Sequence, residues 1–189
     1  MEYTIQMIKD RFNSGESLEY IFFWRHHAKL GKVTKACFSQ WFPACFVVDD
    51  VEYNCAEQYM MAEKARVFDD EDIRMRILAS NDPKEIKALG RMVKNFDGET
   101  WNSVAPSIVV KGNLHKFGQN TELCRFILDT GNKVLVEASP YDTIWGIGMK
   151  EAESGIENPC NWKGTNFLGF ALMEVRDIIG QRRIVKTDR

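Results

Sequence analysis

Apolar residues recur at intervals of three and four in one segment after another, and this helical period limits the chain to a mainly α fold. Residues 3–13, EDIRMRILAS, DPKEIKALGRMV and TELCRFILDTG each carry it. Boundary residues agree with the period: Asp82-Pro83 opens one segment, Thr121 opens another, and Gly131 follows its last turn. A final helix is expected from about Asn166 to Ile179, with Phe167, Phe170, Ala171, Met173, Val175 and Ile178 along its apolar face. Strand character is confined to three places: IFFW, the stretch GKVTKACFSQWFPACFVVDDVEYN, which reads as a hairpin turning at Asp49-Asp50, and KVLVEAS. Strands so few and scattered exclude a doubly wound sheet, and the glycines form neither GxGxxG nor GxxxxGK[ST]. The expected fold is mainly α with a small β component.

At 189 residues the chain is long enough for one well-buried core and short for two, so a single domain over 1–189 is expected. No repeat, low-complexity tract or Pro/Ser-rich linker marks an internal boundary. No apolar run approaches the ~20 residues of a membrane span, and the first thirty residues lack a signal-peptide core, which points to the cytoplasm. The net charge of −2 lacks the basic excess of sequence-independent nucleic-acid binding; the charged tail QRRIVKTDR reads more readily as a solvated end than as a binding arm. Five cysteines without a CxxC pair and three scattered histidines indicate neither disulfides nor a metal site, so reduced, buried thiols are expected.

One helical stretch, YNCAEQYMMAEKA, breaks its own pattern. At about 100° per residue, Ala56, Met60, Met61, Ala65, Val67 and Phe68 cover one half of the wheel, and Glu57 and Lys64 fall in the middle of it. Gln58, Glu63, Arg66 and Asp69 occupy the half expected to face water. An unpaired buried charge costs several kcal/mol, so Glu57 and Lys64 must pair, bond elsewhere or line a cavity. Two turns separate them by about 11 Å, too far for a simple bridge and consistent with a cavity.

Other groups are ambiguous taken singly. In LVEASPYDTIWGIGM, Glu137, Asp142, Trp145, Gly146 and Gly148 suit a ligand loop or a tight turn around a core indole. In VKGNLHKFGQN, Lys111, Lys116, Gln119 and Asn120 offer donors for phosphate, or a solvated helix end. In NWKGTNFLG, Thr165 or Asn166 is a natural N-cap for the last helix, whose N-terminus could also hold an anion. GxSxG, HExxH and nucleophilic-cysteine motifs are missing. Carboxylates, a buried lysine and aromatics remain. They suit cleavage of a bond between a base and a sugar: carboxylates stabilise an oxocarbenium-like centre and activate water, an aromatic holds the base, and a desolvated lysine can form an imine with an opened ribose.

Taken together, FSQWFPACF, YNCAEQYMMAEKA, GRMVKNFD with Trp101, GNLHKFGQN, LVEASPYDTIWGIG and NWKGTNFLGFALMEVR resemble the NADAR (YbiA-like) family from about Ile21 to Ile179, with residues 1–20 an extension and 180–189 a charged tail. The resemblance implies a single multihelical domain that hydrolyses N-glycosidic bonds of ribose carrying phosphate or ADP, without a cofactor. Its substrates would be phosphoribosylated aminopyrimidines of riboflavin synthesis or ADP-ribosylated guanine, free or in DNA. Glu57, Lys64 and Asp142 match the family's acid, lysine and loop acid, and are the catalytic candidates. Phe38, Ser39, Trp101, Lys116, Asn120, Trp145, Gly146, Gly148 and Asn166 are the substrate-binding candidates. Gln40 and Gln58 stand where members often have Asn and His, and Ala105 near a common basic position, which bears on the substrate held more than on the acid and the lysine. The alternative is a non-catalytic module that binds NAD or ADP-ribose.

Overall fold

Short acids and hydroxyls set most helix starts. In the computed structural model, which describes residues 2–27 and 32–187, Thr4 caps α1 (Ile5–Asn13), Asp70 caps α3 (Glu71–Ala79), and Asp82 caps α4 (Pro83–Gly90), whose proline opens the first turn. Asp97 caps α5 (Gly98–Gln119), its carboxylate accepting from the Thr100 amide at 2.7 Å. Helices α2 (Ala56–Val67), α6 (Thr121–Leu128) and α7 (Phe167–Thr187) complete the helical set among the described residues.

Two small sheets accompany them. Strands β2 (Phe46–Val48) and β3 (Val51–Tyr53) pair antiparallel around Asp49 and Asp50, both at positive φ (49° and 64°), the backbone that a two-residue hairpin turn requires. Strands β1 (Tyr20–Phe23) and β4 (Val134–Glu137) pair in parallel, with Tyr20 opposite Val134 and Phe23 opposite Glu137. The architecture is mainly α with a small β component, in one multihelical body.

Helix α2 is the hub, packed on α3, α4 and α5, while α7 lies against β4, α5 and α6. Gly112 lets α5 approach α2, because a β-carbon there would stand 2.4 Å from the Tyr59 ring. The core joins Tyr59, Phe38, Phe117, Leu135 and Phe170, each no more than 2 % exposed.

Several expectations change. The hairpin read into residues 31–54 is shorter, because Lys35–Phe38 form a 3₁₀ turn and only Phe46–Tyr53 pair. Helix α5 did not emerge from periodicity: it is buried on several faces, from Trp101 and Ala105 to Asn113 and Phe117, and contains Pro106, so its apolar residues trace no single stripe. Gln58, expected in water, is 2 % exposed, since α3 covers that face of α2; its side chain donates to the Ile77, Leu78 and Ser80 carbonyls and accepts from the Asn54 amide. The last helix runs on to Thr187, past the expected end at Ile179. Cys45 and Cys160 are exposed, whereas Cys37, Cys55 and Cys124 are buried thiols. No helix among the described residues is long and apolar enough to cross a membrane.

Candidate active site

The first turn of α2 fixes one wall of a cleft of about 780 Å³. The Glu57 amide donates to the Gln40 carbonyl at 2.9 Å, which ties the helix start to the segment after the 3₁₀ turn and leaves the Glu57 side chain, 5 % exposed, facing the cleft. Burial pushes its carboxyl above the usual range, the charge of Asp142 adds to the rise, and Lys87 and a hydrogen bond from Trp41 oppose it.

Lys64 enters the same cleft two turns later. Its ammonium does not pair with Glu57: it donates to the Gly90 carbonyl at 2.8 Å and lies over the rings of Phe96 (4.0 Å) and Trp101 (5.9 Å). Partial burial among these rings lowers its pKa and favours the neutral amine. Glu57 and Lys64 therefore line one cavity without pairing with each other.

The opposite wall follows β4. The Glu137 amide donates to Asn166 Oδ1 at 3.0 Å and its carbonyl accepts from Ile147, so the last strand residue is held on both backbone groups. Its side chain lines the cleft, where one carboxyl oxygen, Oε2, is sealed from water without a hydrogen-bond partner. Burial, and then the charge of Asp142, push this carboxyl up to about 8. Asp142 folds the following loop by accepting from the Ile144 and Trp145 amides through Oδ1, at 2.9 and 2.7 Å. Trp145 packs edge-on against Phe167.

Indoles and cations complete the cleft. Trp41 stands 5.6 Å from His26, and Trp24 stands 6.0 Å from the exposed Tyr141, together lining its aromatic side. From α4 and its end come Lys87, 5.9 Å over the Trp41 ring, and Arg91. Among the described residues neither makes an ion pair with a protein carboxylate, and both line the cleft where a ligand anion could be met. Among the described residues no group of three or more His, Cys, Asp or Glu side chains is arranged to hold a metal ion.

Of the residues singled out from sequence, Glu57, Lys64, Asp142, Ser39, Trp101 and Trp145 line this cleft. The other six stand behind it. Phe38 is core, with no exposure. Lys116, also fully buried, donates to the Cys37 and Ser39 carbonyls at 2.7 and 2.9 Å and so braces the turn that carries Ser39. Asn120 donates to the Cys45 and Lys116 carbonyls. Gly146 and Gly148 serve close packing: a β-carbon on Gly146 would stand 2.9 Å from the Asp142 and Glu137 carbonyls, and Gly148 has φ +65°. Asn166 precedes α7 and its carbonyl accepts from the Phe170 amide, but its side chain is turned elsewhere: at φ 57° and no exposure, it joins the Leu135 carbonyl and the Glu137 amide.

Glu137 and Gln40, noted in the sequence without being chosen as site candidates, also line the cleft, as do Trp41, Lys87 and Arg91, which sequence reasoning did not select. Glu137 was visible in its loop motif, and Lys87 and Arg91 share one helix face four residues apart, yet that spacing also describes any solvated face. Burial pushes Cys37 up to about 12 and Cys55 up to about 11, which disfavours a thiolate nucleophile at these two positions.

Comparison with known proteins places this cleft in a wider set. Residues 22–180 match the NADAR domain family. N-glycosidase R617 of Acanthamoeba polyphaga mimivirus is 43% identical over 168 residues, covering 86% of this chain and 97% of that protein. The chloroplastic riboflavin biosynthesis protein PYRR of Zea mays is 32% identical over 132 residues, 66% of this chain but 19% of that protein. The NMR structure of the E. coli protein YbiA superposes with a TM-score of 0.71 at 28% identity, covering 88% of each chain. A family match over most of the length, with a similar fold in a solved relative, shows that the chain belongs to the NADAR family of N-glycosidases.

Proposed function

We propose that this protein hydrolyses the N-glycosidic bond between a base or amine and a ribose that carries phosphate or ADP. The observation that carries this reading is the division of one cleft into three chemistries: carboxylates with an amine, indoles, and the cations Lys87 and Arg91. Loss of the base leaves an electron-deficient anomeric carbon, which Glu57 and Asp142 stabilise while one of them takes a proton from the attacking water. Lys64, whose pKa burial lowers, can attack the anomeric carbon as a neutral amine; the ring C–O bond then opens, its oxygen taking a proton, to leave an imine that water hydrolyses. Trp101 and Trp145 offer faces for a flat base. Lys87 and Arg91 suit the phosphate or pyrophosphate arm. The similarity to PYRR favours a phosphoribosylated aminopyrimidine, and the net charge of −2 favours such a free metabolite over ADP-ribosylated DNA.

The experiment is to incubate the purified chain separately with an aminouracil ribosyl phosphate and with ADP-ribosylated guanine, and to follow free base by mass spectrometry. Release from either supports the reading. Intact substrate in both, from folded protein, refutes it, and saturable heat of binding without product would mark a non-catalytic binding module.

A further inference from the structure

Glu137 is built differently from the two carboxylates already given roles. Asp142 spends one oxygen on two loop amides, and Glu57 sits at a helix start with Lys87 and Trp41 acting on it. Glu137 has a rigid origin and an unsatisfied end. Asn166 and Ile147 hold its amide and carbonyl, and β1 pairs alongside, so the carboxyl leaves the sheet from a fixed point. At the other end Oε2 is sealed from water, with neither a donor nor an ion pair. An ionised oxygen so placed would be a buried acceptor facing nothing, and an expensive one. Protonation removes that charge, and the part of the carboxyl that lines the cleft, Glu137 being half-buried, can then donate into it.

The charged and titratable groups facing it favour the same form. Asp142 from the loop and Glu57 from α2 add negative charge. The cleft's basic groups are engaged or set apart: Lys64 is bonded to Gly90, and Lys87, Arg91, Arg25, His26 and His27 make no ion pair with Glu137. The charge of Lys87 opposes the rise, and burial outweighs it.

We propose that Glu137 enters the reaction as a neutral carboxylic acid and passes its proton to the nitrogen of the departing base. This rests on the N-glycosidase reading above. The bond from the anomeric carbon to nitrogen breaks, its electron pair stays on nitrogen, and nitrogen takes the Glu137 proton. Water supplies the oxygen that ends on the sugar carbon, Glu57 or Asp142 accepts a proton from that water, and solvent returns a proton to Glu137. One water is consumed, and the products are the protonated base and the free sugar, whether water adds directly or releases an imine on Lys64. Departing amines and purines are poor leaving groups as anions, which is why an acid stored beside the scissile bond matters.

The decisive variant is Glu137→Gln, which keeps the shape and loses the transferable proton. With aminouracil ribosyl phosphate and ADP-ribosylated guanine as probes, kcat is expected to fall by about 10²- to 10⁴-fold with KM within about threefold. Wild-type activity is expected to decline as pH rises through about 8, and this alkaline limb to vanish from the residual activity of the variant. A variant that keeps kcat within about fivefold, or keeps the limb, overturns the proposal. An independent measurement needs neither substrate nor variant: side-chain ¹³C NMR of the wild-type glutamates must show Glu137 protonated at neutral pH, and titration in the ordinary glutamate range refutes the assignment. If the wild type releases base from neither probe, the substrate reading falls, and the NMR titration still decides the state of Glu137.

Discussion

Replacing Asn166 should do more damage than any other single change to a side chain that does not line the cleft. Its amide group donates to the Leu135 carbonyl at 2.9 Å and accepts from the Glu137 amide at 3.0 Å, with no exposure to water. Asn166→Ala leaves both backbone groups buried and unpaired, at about 1–3 kcal/mol each. Alanine must also take up φ 57°, which costs a further ~1–2 kcal/mol that asparagine partly escapes. The expected loss is about 3–8 kcal/mol, a large share of the ~5–15 kcal/mol that holds a domain together. Asn166→Gly removes the same hydrogen bonds but accepts the positive φ, so it should be about 1 kcal/mol more stable than the alanine variant. Urea unfolding of the three proteins measures both differences. A loss under about 1 kcal/mol for Asn166→Ala, or equal stability of the Ala and Gly variants, would refute the clamp and the strain respectively. Because the clamp also fixes the backbone of Glu137, the variants should turn over slowly even where they remain folded.

Lys64→Met should reduce kcat by at least about 10²-fold while calorimetric affinity for ADP-ribose stays within about threefold, since the amine acts on the sugar carbon rather than on the anion. Lys87→Ala and Arg91→Ala should each raise KM for the phosphorylated substrate about tenfold, an effect that shrinks with added salt in steady-state assays. Burial lowers the Lys116 ammonium from 10.5 to about 8, so the native state binds fewer protons than the unfolded chain between those values. Its contribution is therefore complete above 10.5 and is lost as pH falls through about 8, and urea midpoints should show wild type gaining up to about 3 kcal/mol on Lys116→Met across that window as pH rises. Gly112→Ala would bring a β-carbon to 2.4 Å from the Tyr59 ring and should destabilise by about 1–3 kcal/mol in the same assay, through separation of α5 from α2.

What was legible in the sequence follows from how each signal arises. Asp82-Pro83 predicted the start of α4 because capping is local chemistry. Glu57 and Lys64 were legible because an ionisable group on an oily stripe violates a pattern. Gln58 was not, because one helix wheel cannot show that α3 covers a second face of α2. Lys116 and Asn120 read as anion donors because a satisfied donor and a waiting one have the same letter; only the carbonyls of Cys37, Ser39 and Cys45 tell them apart. Asn166 looked like a cap for a comparable reason, its position before a helix concealing a left-handed backbone. Lys87 and Arg91 stayed hidden because cations four apart on an amphipathic helix describe an ordinary wet surface.

The parallel pairing of β1 with β4 joins residues more than a hundred positions apart, and Glu137 stands at its end. Closing so large a loop is entropically unfavourable and is compensated only once the intervening helices have docked, so the two strands should meet late in folding. A nascent chain emerging from the ribosome would thus carry Glu57 and Lys64 on an early helix long before their opposing wall exists. Catalytic competence then arrives as one of the last events of maturation, and turnover can serve as a clock for completion of the native topology.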